Sequence, residues 1–271
     1  MRIGKQEFDC KNKTYIMGIL NVTPDSFSDG GSYQGRDAAL FRVEEMIREG
    51  AHIIDIGGES TRPGYTQITD QEEIERVMPV VETIKKHFEI PVSVDTYKSK
   101  VASAAITAGA DLINDIWGLK YDKDMAEIIA KGNVACCLMH NRKETSYSDF
   151  FKEVKVDLAG CIEIALKAGI SQDKIILDPG VGFAKSYKQN LQIIKQIGIF
   201  KEFFDYPILL GTSRKSVIGL TLDLPVEERL EGTLVTTVQA VLNGCAFVRV
   251  HDIKANARAI RMAEAIRDIE N

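Results

Sequence analysis

Tyr15-Ile16-Met17-Gly18-Ile19-Leu20-Asn21-Val22-Thr23-Pro24-Asp25-Ser26-Phe27-Ser28-Asp29-Gly30-Gly31 is an apolar run that breaks abruptly into polar and turn-forming residues. Residues 15–20 read as a buried strand. Pro24 removes a backbone donor and restrains Thr23, and Gly30-Gly31 opens backbone angles that other residues avoid. A strand-to-helix connection usually takes only a handful of residues. This one is longer, and it holds an aromatic, Phe27, whose exposure is costly unless something covers it. The stretch predicts a strand followed by a functional loop.

The same theme recurs along the chain. Short apolar, β-branched runs lie at 52–56, 91–94, 111–114, 134–139, 174–177, 207–210 and 246–250, which with 15–20 makes eight. Helical patterns fall between them at 36–49, 72–88, 98–108, 124–131, 149–168 and 190–197, then within 227–242 and 253–269. In 72–88, Ile74, Val77, Met78, Val81, Ile84 and Phe88 recur at three- and four-residue steps and mark one buried face. Thr69-Asp70-Gln71-Glu72-Glu73 supplies cap oxygens and acids where a helix N-terminus favours them. Gly50, Gly109, Gly132, Gly169 and Gly244 each stand just ahead of a new strand, where a left-handed helix cap suits.

Eight strand–helix units fit a closed barrel or a doubly wound open sheet. The strands are continuous apolar runs, as in a parallel sheet covered on both faces. No Gly-x-Gly-x-x-Gly follows the first strand, so the dinucleotide form of the open sheet loses support. The count, and the lack of any second pattern, favour an α/β (β/α)8 TIM barrel. Its expected extent is 1–271 as one domain, with a short hairpin-like extension over 1–14. Such a barrel commonly uses about 250 residues.

Composition excludes several classes. The chain has 271 residues, 45% hydrophobic and 27% charged, with a net charge of −5. A broad basic footprint for nucleic acid is therefore excluded, although a local patch for a small anion is not. No apolar run is long enough to span a membrane, and residues 1–14 lack a signal-peptide core, so a cytoplasmic protein is expected. The five cysteines have no zinc or disulfide spacing and read as small buried residues.

In a TIM barrel the active site is built at the C-terminal ends of the strands. Here those ends carry Asn21; Asp55; Asp95; Asn114 and Asp115; Met139 and His140; Asp178; Gly211 and Ser213; and Arg249 and His251. A single acid at a strand end usually caps the next helix. Polar groups on nearly every strand, aimed at one mouth, need another explanation. Gly211-Thr212-Ser213-Arg214-Lys215-Ser216 and Arg249-Val250-His251-Asp252 follow strands seven and eight, whose loops often bind phosphate in barrels. Together, in an acidic protein, they favour an anion site. Asp95, Asn114 and Asp178 form an acidic and amidic wall suited to a flat heterocycle with several polar edge atoms. Met139 and Phe183 either sandwich that ring or belong to the barrel core. Gly57-Gly58-Glu59-Ser60-Thr61-Arg62-Pro63-Gly64 is a second loop, with a hydroxyl and a cation available to an anion.

These stretches, with Val94-Asp95-Thr96, Leu138-Met139-His140, Asp178-Pro179-Gly180-Val181-Gly182-Phe183 and Ser213-Arg214-Lys215, closely resemble the dihydropteroate synthase family and span nearly the whole chain in its order. The resemblance implies a transferase of folate biosynthesis. It would condense 6-hydroxymethyl-7,8-dihydropterin diphosphate with 4-aminobenzoate to give dihydropteroate and diphosphate. By the family pattern Asp95, Asn114, Asp178 and Lys215 hold the pterin, with Met139 and Phe183 beside its ring. Thr61, Arg249 and His251 contact the diphosphate, and Asn21 helps place Mg2+. Lys215 and Ser216 lie where the family binds the aminobenzoate, with Phe27, Arg62 and Pro63 on the two loops that would close over the reacting carbon. A homodimer and competition by sulfonamides are implied in the same way. No protein nucleophile or base is expected, because the leaving diphosphate departs from a carbon whose cation the pterin ring stabilises.

The sequence departs from the family at two places. Asn141-Arg142-Lys143-Glu144 stands where many members carry Gln-Gly-x-Pro, and Ala184 stands where Gly is frequent. Two other readings would keep the pterin wall: a barrel like the methyltetrahydrofolate methyltransferases, which leaves the first loop and both basic turns idle, and a non-catalytic pterin or phosphate binder.

Overall fold

The computed structural model describes residues 1–22, 33–59 and 67–269. Strands β1 (Arg2–Ile3) and β2 (Gln6–Glu7) form an antiparallel hairpin. Eight further strands follow: β3 (Tyr15–Asn21), β4 (Ile53–Gly57), β5 (Val92–Asp95), β6 (Leu112–Asp115), β7 (Ala135–Met139), β8 (Ile175–Asp178), β9 (Leu209–Leu210) and β10 (Phe247–Val250). They make one parallel sheet in the order β8-β7-β6-β5-β4-β3-β10-β9. A parallel bridge between Leu177 and Ile208 joins β8 to the residue before β9 and brings the two ends of the sheet together. The expected (β/α)8 TIM barrel and its hairpin extension are both present.

Helices α1 (Tyr33–Glu49), α2 (Asp70–His87), α3 (Ser99–Thr107), α4 (Met125–Gly132), α5 (Phe150–Lys167), α6 (Tyr187–Lys195), α7 (Gly198–Phe204), α8 (Ser216–Leu222), α9 (Leu230–Leu242) and α10 (Ile253–Arg267) surround the sheet. The acidic start of α2 behaves as the sequence implies: Thr69 and Glu72 form a reciprocal capping box. Its Val77, Met78, Val81 and Ile84 are buried in the layer between helices and sheet.

Some helix ends differ from the sequence reading. Gly132 remains helical, and Asn133 takes the left-handed cap at φ 53°, which its short amide tolerates. Helix α6 begins at Tyr187 because Ser186 and Gln189 form a second capping box, earlier than apolar spacing alone suggests.

Side-chain alternation then sets the site. Met17, Ile53, Leu112, Cys137, Ile176, Leu209 and Phe247 fill the barrel's interior, and Ile3 and Phe8 of the hairpin segment pack against them. In a strand, residues two apart share a face. Two positions beyond Ile53, Leu112, Cys137, Ile176 and Phe247 stand Asp55, Asn114, Met139, Asp178 and Arg249. The apolar plug thus continues directly into polar side chains at the mouth.

Candidate active site

Strand register puts several of these side chains on one level. Asn21 pairs with Gly57, Gly57 with Asp95, and Asp95 with Asn114, while Met139 pairs with Asp178 farther round. Parallel strands of matched length deliver their ends together, so distant sequence positions converge.

Arg249 spans the mouth. Its Nε donates to Asp55 Oδ2 at 2.5 Å and its Nη2 to Asp95 Oδ2 at 2.7 Å. Asn114 Nδ2 lies 3.4 Å from the same Asp55 oxygen. A guanidinium has five N–H donors, so these two bonds leave others for an anion. Burial opposes charge on Arg249, but Asp55 and Asp95 win and hold its pKa above the usual value. Asp95 itself is raised, because burial outweighs Arg249. Asp55, a strand end without an assigned role in the sequence reading, is the buried carboxylate that ties the amide wall to the basic wall.

The opposite side is built by the loop after β8. Asp178 Oδ1 accepts from the Gly180 N–H at 2.7 Å. Burial raises the Asp178 pKa, against Lys215. Lys215 Nζ donates to Val181 O at 2.5 Å and lies 4.7 Å from the Phe183 ring centroid. Burial lowers the Lys215 pKa to about 8, with Asp178 opposing. Gly182, at φ +88°, lets the lysine stem pass; a Cβ there would stand 3.2 Å from Lys215 Cδ. Met139 and Phe183 share one apolar cluster with Tyr97, Ile116 and Trp117, so both border the mouth and both pack.

The basic turns divide. Ser213 Oγ accepts from the His251 backbone N–H at 3.2 Å and lies 2.9 Å from His251 Nδ1, which ties the two loops together. Arg214 forms a paired contact with Asp252, at 3.0 and 2.6 Å, and is committed there. Lys215 precedes the first residue of α8, and Ser216 opens that helix in an exposed position. Asn21 is exposed at the end of β3. Thr61, Arg62, Pro63 and Phe27 lie outside the described residues.

Other features have little sequence signal. Glu59 accepts from Tyr97 Oη at 2.5 Å, Lys98 Nζ at 2.8 Å and the Ile68 N–H at 2.8 Å. Lys98 also pairs with Glu73 at 2.8 Å. These contacts brace the end of β4 against α2. In the fifth loop Arg142 pairs with Glu153 and Asp157 and lies over the Tyr147 ring, so the residues that depart from the family are fastened to α5.

Magnesium needs hard oxygen ligands and keeps several waters. Among the described residues no group of three or more His, Cys, Asp or Glu could hold a metal ion. A site with one protein ligand, the Asn21 amide oxygen, fits this ion's habits but not a zinc site's.

A family model described as pterin binding enzyme matches residues 17–251. The chain is 58% identical to a dihydropteroate synthase of Clostridium beijerinckii, covering 98% of this chain and 99% of that protein. It is 54% identical to one of Bacillus subtilis, over 94% and 90% of the two chains. A solved dihydropteroate synthase from Clostridium difficile, in the presence of pteroic acid, superposes with a TM-score of 0.93 at 48% identity, covering 96% of this chain and 99% of that one. A Yersinia pestis dihydropteroate synthase in complex with a sulfonamide drug gives 0.92 at 39% identity over 99% of both.

Proposed function

The chain belongs to the dihydropteroate synthases of the pterin-binding enzyme family, and from that premise we propose how its own residues divide the family's reaction among them. It condenses 6-hydroxymethyl-7,8-dihydropterin diphosphate with 4-aminobenzoate and releases 7,8-dihydropteroate and diphosphate. The observation that carries the residue-level reading is the mouth itself, with Asp95, Asn114 and Asp178 facing Arg249 and Lys215.

In this reading Asp95, Asn114 and Asp178 take the polar edge of the pterin, and Lys215 donates to it from the far side. Met139 and Phe183 flank the ring. Arg249 and His251 receive the diphosphate, with Ser213 holding the His251 ring. The C–O bond to diphosphate breaks heterolytically and its electron pair leaves with the phosphate. The methylene cation delocalises into the pterin ring, and the carboxylates of the wall favour that charge. The amine of 4-aminobenzoate then forms the C–N bond and loses a proton to solvent. Lys215 and Ser216 stand where the aminobenzoate would approach. When bound at Asn21, Mg2+ would offset charge on the diphosphate.

The reading extends to one domain over 1–271, working as a cytoplasmic homodimer. Among the described residues no helix is long and apolar enough to cross a membrane. Exposed Leu220 of α8 and Val235 of α9 supply apolar surface for a partner copy.

Diphosphate release with pterin diphosphate, Mg2+ and 4-aminobenzoate tests the function directly. Release that depends on the amine is expected. Its absence, with methyl transfer from methyltetrahydrofolate instead, would favour the methyltransferase reading.

A further inference from the structure

Lys185 lies directly behind the pterin wall and reaches three acceptors. Its Nζ donates to Gly180 O at 2.9 Å and Phe183 O at 3.0 Å, and sits 2.8 Å from His140 Nδ1. Those carbonyls belong to the loop that presents Asp178 and Phe183. Gly180 and Gly182 take left-handed backbone there at no steric cost, whereas Ala184 at φ 46° is strained and needs outside support. Lys215 donates to the Val181 carbonyl between them, so two lysines hold successive carbonyls of one loop.

Behind Lys185 the network continues. The His140 ring is fully buried and its Nε2 lies 2.9 Å from Asp157 Oδ2 on α5. With Nε2–H donating to Asp157, Nδ1 is free to accept from Lys185. The backbone of His140 is tied in as well: its N–H donates to Asp178 O at 2.8 Å. A Cβ at Gly180 would stand 2.0 Å from the His140 carbonyl oxygen, so only glycine lets the loop lie this close to the strand end. Burial lowers the Lys185 pKa to about 7, with Asp178 opposing, and an ammonium so placed is kept at a cost.

We propose that Lys185 is a positioning residue for pterin recognition. Anchored by His140 and Asp157, it fixes the loop that carries Asp178 and Phe183, and so sets affinity for the ring without touching it. The inference rests on the pterin reading of the mouth.

The test compares the full-length enzyme with Lys185→Met and His140→Gln. Glutamine can keep the donor to Asp157 while removing the ring acceptor, so His140→Gln carries the test if Lys185→Met does not fold. Binding of 6-hydroxymethylpterin is measured by calorimetry, and kcat and both KM values by diphosphate release. For Lys185→Met the pterin Kd and the KM for pterin diphosphate rise about tenfold, with kcat and the aminobenzoate KM within about threefold. For His140→Gln the pterin terms rise about threefold. A lower Tm with unmoved pterin Kd and KM in a folded variant would overturn the proposal. Wild-type enzyme that releases no diphosphate with the amine would instead overturn the pterin reading.

Discussion

The Arg249 guanidinium lies 2.7 Å from the Asp95 carboxylate and thereby links the strand end of β10 to that of β5 at the barrel mouth. Its second carboxylate, Asp55, is fully buried. The geometry asks for a fork, since two separate carboxylates are met by two nitrogens of one planar group. Arg249→Lys keeps the charge and loses the fork. It is expected to lower kcat/KM for pterin diphosphate about 10- to 100-fold, or about 1.4–2.8 kcal/mol. Diphosphate release measures it, and an unchanged value would reduce Arg249 to a single point charge.

Asp95→Asn keeps the shape of the pterin wall but removes a charged acceptor. A hydrogen bond to a charged group contributes about 1.5–3 kcal/mol. Pterin affinity is expected to fall roughly 10- to 100-fold in calorimetry, with the circular dichroism spectrum retained. Unaltered affinity would place the ring away from this carboxylate.

The strand ends are legible in the sequence because each apolar run stops at a polar residue, and period-two alternation carries that boundary to the mouth. Asp95, Asn114, Asp178 and Arg249 were found that way. Asp55 is visible as a strand end, but its role depends on the contact over β3 to Arg249 on β10, which no local pattern encodes. Arg214 and Lys215 are neighbours with the same charge. Only the fold shows that one pairs with Asp252 while the other turns inward over Phe183. Lys185 has no signal of its own, since its role depends on His140, 45 residues away, as well as on the carbonyls of its own loop. The short helices α7 and α8 give no sequence signal because seven residues hold too little apolar periodicity.

Ala184 has φ 46°, a left-handed backbone that disfavours any Cβ. Tyr147 Oη donates to its carbonyl at 2.8 Å and helps hold it. The departure from glycine at this position therefore carries strain. Ala184→Gly is expected to stabilise the protein by about 0.5–1 kcal/mol, after the entropy that glycine loses on folding. Urea denaturation measures it. A destabilised variant would mean that the alanine methyl packs better than the strain costs.

Lys215 gives a pH dependence whose sign follows from its lowered pKa. Burial brings it to about 8 in the folded chain, whereas an exposed lysine titrates near 10.4. Well below pH 8 both states hold the proton and stability does not change on its account. Between about pH 8 and about pH 10 the unfolded chain binds more protons, so this group makes stability rise with pH. Lys215→Met removes this proton-linked contribution. The stability of the wild type relative to Lys215→Met is expected to climb across that window, by on the order of 1 kcal/mol per pH unit at most. Parallel stability curves would show that Lys215 titrates normally.

Asn21 ends β3 in an exposed position, and its amide is an oxygen ligand of the kind Mg2+ accepts. Chelation by EDTA is expected to suppress diphosphate release, and added Mg2+ to restore it. Asn21→Ala should raise the Mg2+ concentration for half-maximal rate by about tenfold, equivalent to about 1.4 kcal/mol. Affinity for 6-hydroxymethylpterin, which has no diphosphate, should stay the same because Asp95, Asn114 and Asp178 are untouched. The contrast separates a role at the anion from a general loss of the mouth. If both the Mg2+ requirement and the hydroxymethylpterin affinity shifted together, Asn21 would be acting on the shape of the barrel rim rather than on the metal.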